Sequence, residues 1–103
     1  VLPTRALEGF GLVTLEAFAC GIPAIVTPAG ASPEVAAPVD PDLVAAGTGP
    51  RDIADAVIRL LRRPDLHDHG ARCRAYAGKF SWDAIASEYE RVYYEIIRGK
   101  AAA

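Results

Sequence analysis

The chain has 103 residues, of which 51% are hydrophobic and 23% are charged, and its formal net charge at pH 7 is −2. This length allows at most one small domain, and the charge gives no electrostatic reason to expect a nucleic acid or an anionic membrane as partner. The sequence has no apolar run of membrane-spanning length and no basic and apolar leader, so it predicts a soluble, cytoplasmic segment.

The start of the chain indicates a fragment. It begins two residues before a proline and contains no methionine. This start lies too late to include the strand that normally precedes such a loop. We therefore expect the carboxyl-terminal part of something longer.

The first half of the chain alternates loops, one helix and short apolar runs. A helix is predicted over about residues 12–20, and Gly21 supplies its left-handed end. Residues 23–27 and 43–45 are short apolar runs that predict strands buried in a parallel sheet, and residues 1–2 resemble the end of another strand. The residues that the first helix is expected to bury are Leu12, Leu15, Phe18 and Ala19.

The second half of the chain is predicted to be mainly helical. Before it, Ser32 is expected to cap a short helix that has Pro33 at its first position. An amphipathic helix is predicted over residues 50–62, and a weaker one over residues 66–79, interrupted or ended near Gly70 and Gly78. Ser81 is expected to cap the last helix. Helices alternating with short strands predict an α/β fold with parallel strands, in which only part of the sheet is present.

The segment that enters the first helix has the features of an anion site. The turn Gly9–Phe10–Gly11 lets backbone amides approach a ligand closely, and a helix amino terminus offers unpaired N–H groups with a favourable dipole. The amides of Gly11, Leu12 and Val13 are expected to point towards a phosphate.

Two glutamates flank this turn. Glu8 lies just before it and Glu16 lies one and a half helical turns later. Carboxylates accept hydrogen bonds from sugar and ribose hydroxyls, at about 1.5–3 kcal/mol each. The pair with a phosphate site between them therefore suits a nucleotide sugar, although the spacing alone also permits a loop charge and a solvated helix face.

The stretch "EGFGLVTLEAFACGIPAIVTPAGASPEV" resembles the carboxyl-terminal motif region of retaining GT-B glycosyltransferases of the group 1 type. That family has two glutamates separated by seven residues, a helix end of small residues, Gly-x-Pro and a Gly…Pro-Glu turn. Downstream, "DIADAVIRLLRRPDL" and "FSWDAIASEYERVYYEI" are similar to its closing helices. The resemblance covers nearly the whole chain and is weakest over residues 36–50.

The resemblance implies an incomplete Rossmann-like sheet. Residues 1–103 would be the carboxyl-terminal part of a nucleotide-sugar-binding domain, with its closing helices over about residues 50–98. The reaction would transfer a sugar from a nucleotide-diphosphate donor with retention of anomeric configuration. No metal and no cofactor besides the donor substrate are implied.

The resemblance also implies a role for each residue of the motif. Glu8 would be the catalytic residue and would hold hydroxyls of the transferred sugar, whereas Glu16 would bind the ribose hydroxyls. The remaining donor-binding positions would act through their backbone amides on the sugar and the phosphates; they are Gly9, Phe10, Gly11, Leu12 and Val13.

Two parts of such an enzyme are expected to lie outside the chain. One is an Arg and Lys pair that grips the diphosphate, for which Lys79 and Lys100 lie in the wrong part of the fold. The other is the amino-terminal acceptor domain. We therefore expect the chain to be inactive alone.

Three other functions were weighed against this one. A dinucleotide-binding domain would need a third glycine where Thr14 stands, and a full strand before the loop. A nucleotide-sugar epimerase with the same architecture remains an enzymatic alternative. A catalytically silent nucleotide-binding module would need the glycines but neither glutamate.

The cysteines, the histidines, an arginine pair and the aromatic residues of the last helix are expected to have structural roles. Cys20 and Cys73 are expected to be small buried residues, because their separation suits neither a metal site nor a disulfide framework. His67 and His69 are expected to be exposed polar residues of a helix. The pair Arg62–Arg63 is expected to mark a helix carboxyl end favoured by the dipole. The last helix carries an aromatic stripe that is expected to be mostly core, with part of it at a domain interface; its members are Trp82, Tyr89, Tyr93 and Tyr94.

Overall fold

A computed structural model describes residues 1–99 of the chain. Lys100, which the sequence analysis considered, lies outside this range. Within it the α-helices are α1 (Leu12–Ala19), α2 (Ser32–Ala36), α3 (Pro50–Leu61), α4 (Leu66–Ala77) and α5 (Trp82–Ile97), and two short 3-10 segments span Pro41–Leu43 and Gly78–Phe80.

Three extended segments meet in parallel at the positions where the sequence predicted strands. Isolated parallel bridges join Leu2 to Val26 and Val26 to Val44. The backbone hydrogen bonds include Leu2 N–H to the Ile25 carbonyl at 2.8 Å and Ala45 N–H to the Val26 carbonyl at 2.8 Å. These bridges confirm the predicted parallel direction. Within residues 1–99 no bridge extends into a longer ladder, so the sheet itself stays a prediction.

Helix α1 lies where the sequence predicted it, but its buried face is narrower. Leu15 and Phe18 are buried as expected, whereas Leu12 is exposed. Ala19 is exposed as well. Those two predictions were wrong because neither side chain lies on the side of α1 that packs into the core. Gly21 has φ 74°, which confirms the predicted left-handed end of the helix.

The core lies between the extended segments, α1 and the helices that follow. Helices α1 and α4 approach so closely at Gly21 and Gly70 that a Cβ on Gly70 would lie 2.4 Å from the Gly21 carbonyl oxygen. Helix α4 runs unbroken through Gly70, where the sequence suggested an interruption. The glycine at this position allows the close packing of the two helices. The largest members of the core are Leu15, Phe18, Ile25, Leu43 and Leu60.

Helix α2 begins differently from the prediction. Ser32 is its first residue, and Ala31 occupies the capping position without a side-chain hydrogen bond. The Ser32 hydroxyl is buried and has no partner among the described residues. The predicted cap was therefore wrong, although the first turn does contain Pro33 and Glu34.

A buried polar cluster joins α4 to the loop before the first 3-10 segment. His69 is fully buried, and its Nε2 lies 3.0 Å from Asp40 Oδ2, while its Nδ1 lies 3.7 Å from Cys73 Sγ. Arg63 also donates a hydrogen bond to Asp40. It makes a bidentate contact with Asp65, through hydrogen bonds of 2.9 Å and 3.0 Å. We call Asp40, Arg63, Asp65, His69 and Cys73 the Asp40 cluster.

The Asp40 cluster corrects two sequence interpretations. His69 is a buried partner of Asp40 and not an exposed polar residue, whereas His67 is exposed as expected. Arg63 follows the carboxyl end of α3 but serves mainly as an ion-pair partner, since it contacts carboxylates on two sides. The predicted burial is confirmed for Cys73 but wrong for Cys20, which is exposed after α1.

Helix α5 extends from the rest of the molecule with its apolar residues largely uncovered. Ser81 caps it by accepting a hydrogen bond from the Ala84 N–H, as the sequence predicted. The aromatic stripe is exposed and not core, with Trp82 at 85% and Tyr89 at 61% exposure. Tyr93 and Tyr94 are exposed too. Among residues 1–99, no helix combines the length and apolar character needed to cross a membrane.

Candidate functional site

The amino terminus of α1 is open. Gly11 occupies the capping position with φ 87° and ψ 51°, a left-handed conformation that favours glycine, and it offers no side chain to the helix. Leu12 and Val13 follow with their side chains exposed. The Thr14 N–H bonds to the Gly11 carbonyl at 3.0 Å, whereas the N–H groups of Leu12 and Val13 have no acceptor among the described residues and are left for an external one.

The backbone of Glu8 is fixed by a neighbouring turn. Its carbonyl accepts a hydrogen bond from the Ala31 N–H at 2.9 Å. Gly30 has φ 56°, and a Cβ there would lie 2.5 Å from both the N and the O of Glu8. The turn that precedes α2 can therefore hold Glu8 only because residue 30 is a glycine. The sequence identified Gly30 as part of a motif but gave no indication of this contact.

Phe10 connects the loop to the core through aromatic contacts. Its ring meets Phe80 at a centroid distance of 6.0 Å, Phe80 meets Tyr76 at 5.1 Å, and Tyr76 meets the buried Phe18 at 6.3 Å. Each contact is edge-on, the geometry that aromatic pairs prefer. Phe10 thus helps to anchor the loop, while its backbone remains available at the turn.

The two predicted glutamates lie on different elements. Glu8 is half-buried in the loop, and its Cγ would lie 3.9 Å from a Cβ built on Gly11, so the structure brings these two together. Glu16 is exposed on α1. Neither carboxylate has a hydrogen bond or an ion pair with another residue between 1 and 99, so both are free to accept from a ligand.

One polar group beside this loop was not singled out from the sequence. The Thr14 hydroxyl is buried in the first turn of α1 and has no hydrogen-bond partner among the described residues. It lies 3.7 Å from the position of a Cβ on Gly11. The sequence signal was weak, because a threonine between valine and leucine in an apolar helix resembles an ordinary core residue.

The arrangement suits an anion that carries hydroxyl groups. Open helix N–H groups attract negative charge, and unpaired carboxylates accept from hydroxyls. Lys79 lies elsewhere, over the ring of Tyr76 at 6.0 Å. Within the part of the chain that the structure describes, no group of three or more His, Cys, Asp or Glu residues is arranged to hold a metal ion.

In a comparison with known proteins, residues 1–80 match the family model described as "Glycosyl transferases group 1". An N-acetyl-alpha-D-glucosaminyl L-malate synthase of Bacillus anthracis is 40% identical over 93 residues, covering 88% of this chain and 24% of that protein. A D-inositol 3-phosphate glycosyltransferase of Corynebacterium jeikeium is 39% identical over 90 residues, covering 86% and 22%. An uncharacterized glycosyltransferase of Methanocaldococcus jannaschii is 31% identical over 97 residues, covering 93% and 27%. The chain spans about a quarter of the length of these relatives.

Proposed function

Because the chain belongs to the group 1 glycosyltransferase family, we propose that the longer protein containing it transfers a sugar from a nucleotide-diphosphate donor to an acceptor. The transfer retains the anomeric configuration, and the fold is of the GT-B type. This chain supplies part of the donor site. The acceptor domain and the cationic groups that hold the diphosphate lie elsewhere in that protein, so the isolated chain is inactive.

The observation that carries this proposal is the amino terminus of α1, which no side chain of the described residues caps, together with the unpaired carboxylates of Glu8 before it and of Glu16 within the helix. A nucleotide sugar has phosphates in its middle and hydroxyls at both ends. The phosphates match the N–H groups of the first helical turn, and the hydroxyls match the carboxylates.

Each residue has a distinct task in the proposed reaction. Glu8 binds hydroxyls of the transferred sugar and is the catalytic residue that the family resemblance implies; the hold on its backbone beside the turn supports this role. Glu16 binds the ribose hydroxyls. Fixed N–H dipoles stabilise the charge that develops on the departing diphosphate without having to reorganise. The amides that do so belong to Gly9, Phe10, Gly11, Leu12 and Val13.

The test compares two substitutions in the full-length protein. Glu8→Gln keeps the shape of the side chain but removes its charge, and we expect kcat to fall about 100-fold or more. Glu16→Ala should mainly raise KM for the donor, because a ground-state contact is lost. Glu90→Gln is the matched control, since Glu90 is an exposed carboxylate on α5 outside the site.

The assay uses a panel of nucleotide-diphosphate sugars with small hydroxyl-bearing acceptors. L-malate and D-inositol 3-phosphate are the first acceptors to try, because the names of two relatives contain them. NMR of the product distinguishes retention from inversion. Unchanged turnover in Glu8→Gln would contradict the assignment of Glu8, and conversion of the donor without any acceptor would favour an epimerase.

A further inference from the structure

The Thr14 hydroxyl is buried without a hydrogen-bond partner, which is an uncommon state for a polar group in a folded protein. Thr14 is 1% exposed, and its Oγ1 has no partner among residues 1–99. Leaving a hydroxyl dry and unpaired destabilises a fold, whereas a valine of nearly the same shape would not. In this structure, the Thr14 hydroxyl therefore contributes no hydrogen bond to the fold of residues 1–99.

The partner that the geometry offers is the side chain of Glu8. A point one bond length from the Gly11 Cα, where a Cβ would stand, lies 3.7 Å from Thr14 Oγ1 and 3.9 Å from Glu8 Cγ. Both atoms therefore lie within 4 Å of the place that a side chain at residue 11 would occupy. Because residue 11 is a glycine, no side chain there obstructs a rotation of Glu8 that brings its carboxylate to the Thr14 hydroxyl.

The freedom of Glu8 is confined to its side chain. The Ala31 N–H and the close approach of Gly30 hold its backbone in place. Its carboxylate has no hydrogen-bond or ion-pair partner between residues 1 and 99. Because the Glu8 backbone is fixed, one further hydrogen bond to its carboxylate is enough to select a single orientation of the side chain.

We propose that the Thr14 hydroxyl donates a hydrogen bond to the Glu8 carboxylate when the donor is bound, and so orients the catalytic residue. Thr14 is then a positioning residue that acts through Glu8, and this inference rests on the role given to Glu8 in the proposed function. A hydrogen bond from a hydroxyl to a carboxylate is of the charge-assisted kind, which is short and comparatively strong. The second oxygen of Glu8 stays available to the sugar.

The experiment compares Thr14→Val with Thr14→Ser in the full-length protein. Thr14→Val keeps the shape but removes the hydroxyl, and we expect kcat to fall about tenfold with KM for the donor changed less than about twofold. Thr14→Ser keeps the hydroxyl and should retain most of the turnover. Equal turnover in Thr14→Val and the unmodified protein would overturn the proposal.

Ser32→Ala is the matched control, because it also removes a buried hydroxyl without a partner among the described residues. It should leave kcat unchanged. The melting temperature of both Thr14→Val and Ser32→Ala should stay the same or rise, since each loses an unpaired polar group. A fall in kcat of similar size in Ser32→Ala would assign the effect to general packing and overturn the proposal.

A double-mutant cycle with Glu8→Gln separates this inference from the proposed function. If Thr14 acts through Glu8, adding Thr14→Val to Glu8→Gln should cost less than about twofold more in kcat. Full additivity would overturn the inference. A Glu8→Gln protein that keeps its turnover contradicts the proposed function instead, and a large loss in Glu8→Gln with none in Thr14→Val contradicts only the inference.

A structure of the full-length protein with a bound nucleotide sugar gives a test that does not depend on any variant. Thr14 Oγ1 should lie within about 3 Å of a carboxylate oxygen of Glu8. A hydroxyl bonded to a buried water, with the Glu8 carboxylate turned away, would overturn the proposal.

Discussion

The Asp40 cluster and the Glu8 loop (residues 8–11 with the first turn of α1) both bring polar groups together, and they differ in whether those groups are paired. In the Asp40 cluster the carboxylate of Asp40 meets both His69 and Arg63. At the Glu8 loop, the carboxylate of Glu8 and the hydroxyl of Thr14 have no partner among the described residues. Paired buried groups hold a structure together, whereas unpaired groups beside an open helix end are suited to a ligand.

Removing Asp40 should have the largest effect on stability. Asp40→Ala leaves the fully buried His69 without its partner, and we expect the free energy of unfolding to fall by about 3 kcal/mol. Urea denaturation measures this change. Glu8→Ala is the comparison, and it should leave stability within about 0.5 kcal/mol; an equal loss in both variants would erase the distinction between the two regions.

The turn beside Glu8 offers the next test, because it packs closely against the Glu8 backbone. Gly30→Ala adds a Cβ 2.5 Å from the Glu8 backbone at a left-handed φ of 56°, so we expect a loss of about 2 kcal/mol. Gly78→Ala is the control, since nothing lies within 4 Å of its added Cβ. A Gly30→Ala protein as stable as Gly78→Ala would show that the turn can move away from Glu8.

Acid should weaken the Asp40 cluster. Burial opposes ionisation of Asp40, but hydrogen bonds from the Asp42 N–H, His69 and Arg63 outweigh it and lower the pKa of Asp40 below its ordinary value of 3.8. A carboxyl with a depressed pKa stabilises the fold above its unfolded pKa, and this contribution is lost as pH falls through the folded pKa. Chemical denaturation between pH 6 and strongly acid pH should show a fall in the free energy of unfolding. The dependence of that free energy on pH should be weaker in Asp40→Ala.

The smallest effect is expected for a third group of charges that has good geometry but no burial. Arg91 on α5 contacts Glu88 at 2.9 Å and Glu95 at 2.6 Å, and all three side chains are well exposed. Exposed ion pairs of this kind contribute little, because water and salt screen them. Arg91→Ala should leave the denaturation midpoint within experimental error, and a clear shift would mean that pairing matters here more than burial.

The sequence predicted local features better than features that depend on distant residues. Gly21 and Ser81 end and begin helices as expected, because both act through neighbours in the chain. His69 was misplaced because its partner, Asp40, lies 29 residues earlier, and no pattern within one helix indicates that contact. Trp82 was assigned to the core because an apolar stripe on a helix does not show which element, if any, covers it.

The candidate site was predictable in its outline and not in its supports. The glycines of the loop and the two glutamates were singled out from their spacing together with the family resemblance, and Gly11 does occupy the capping position of α1. The role of Gly30 in holding Glu8, and the unpaired hydroxyl of Thr14, depend on how close two turns come in space. Such distances have no signature in the order of the residues.

The two cysteines give this chain a built-in reporter of helix opening. Cys20 is exposed at the end of α1, whereas Cys73 is fully buried on α4, where burial raises the pKa of its thiol. A thiol reagent should therefore modify Cys20 at once and Cys73 only when the core around α4 opens. The rate of the second modification, followed by mass spectrometry, would measure how often that opening occurs under native conditions.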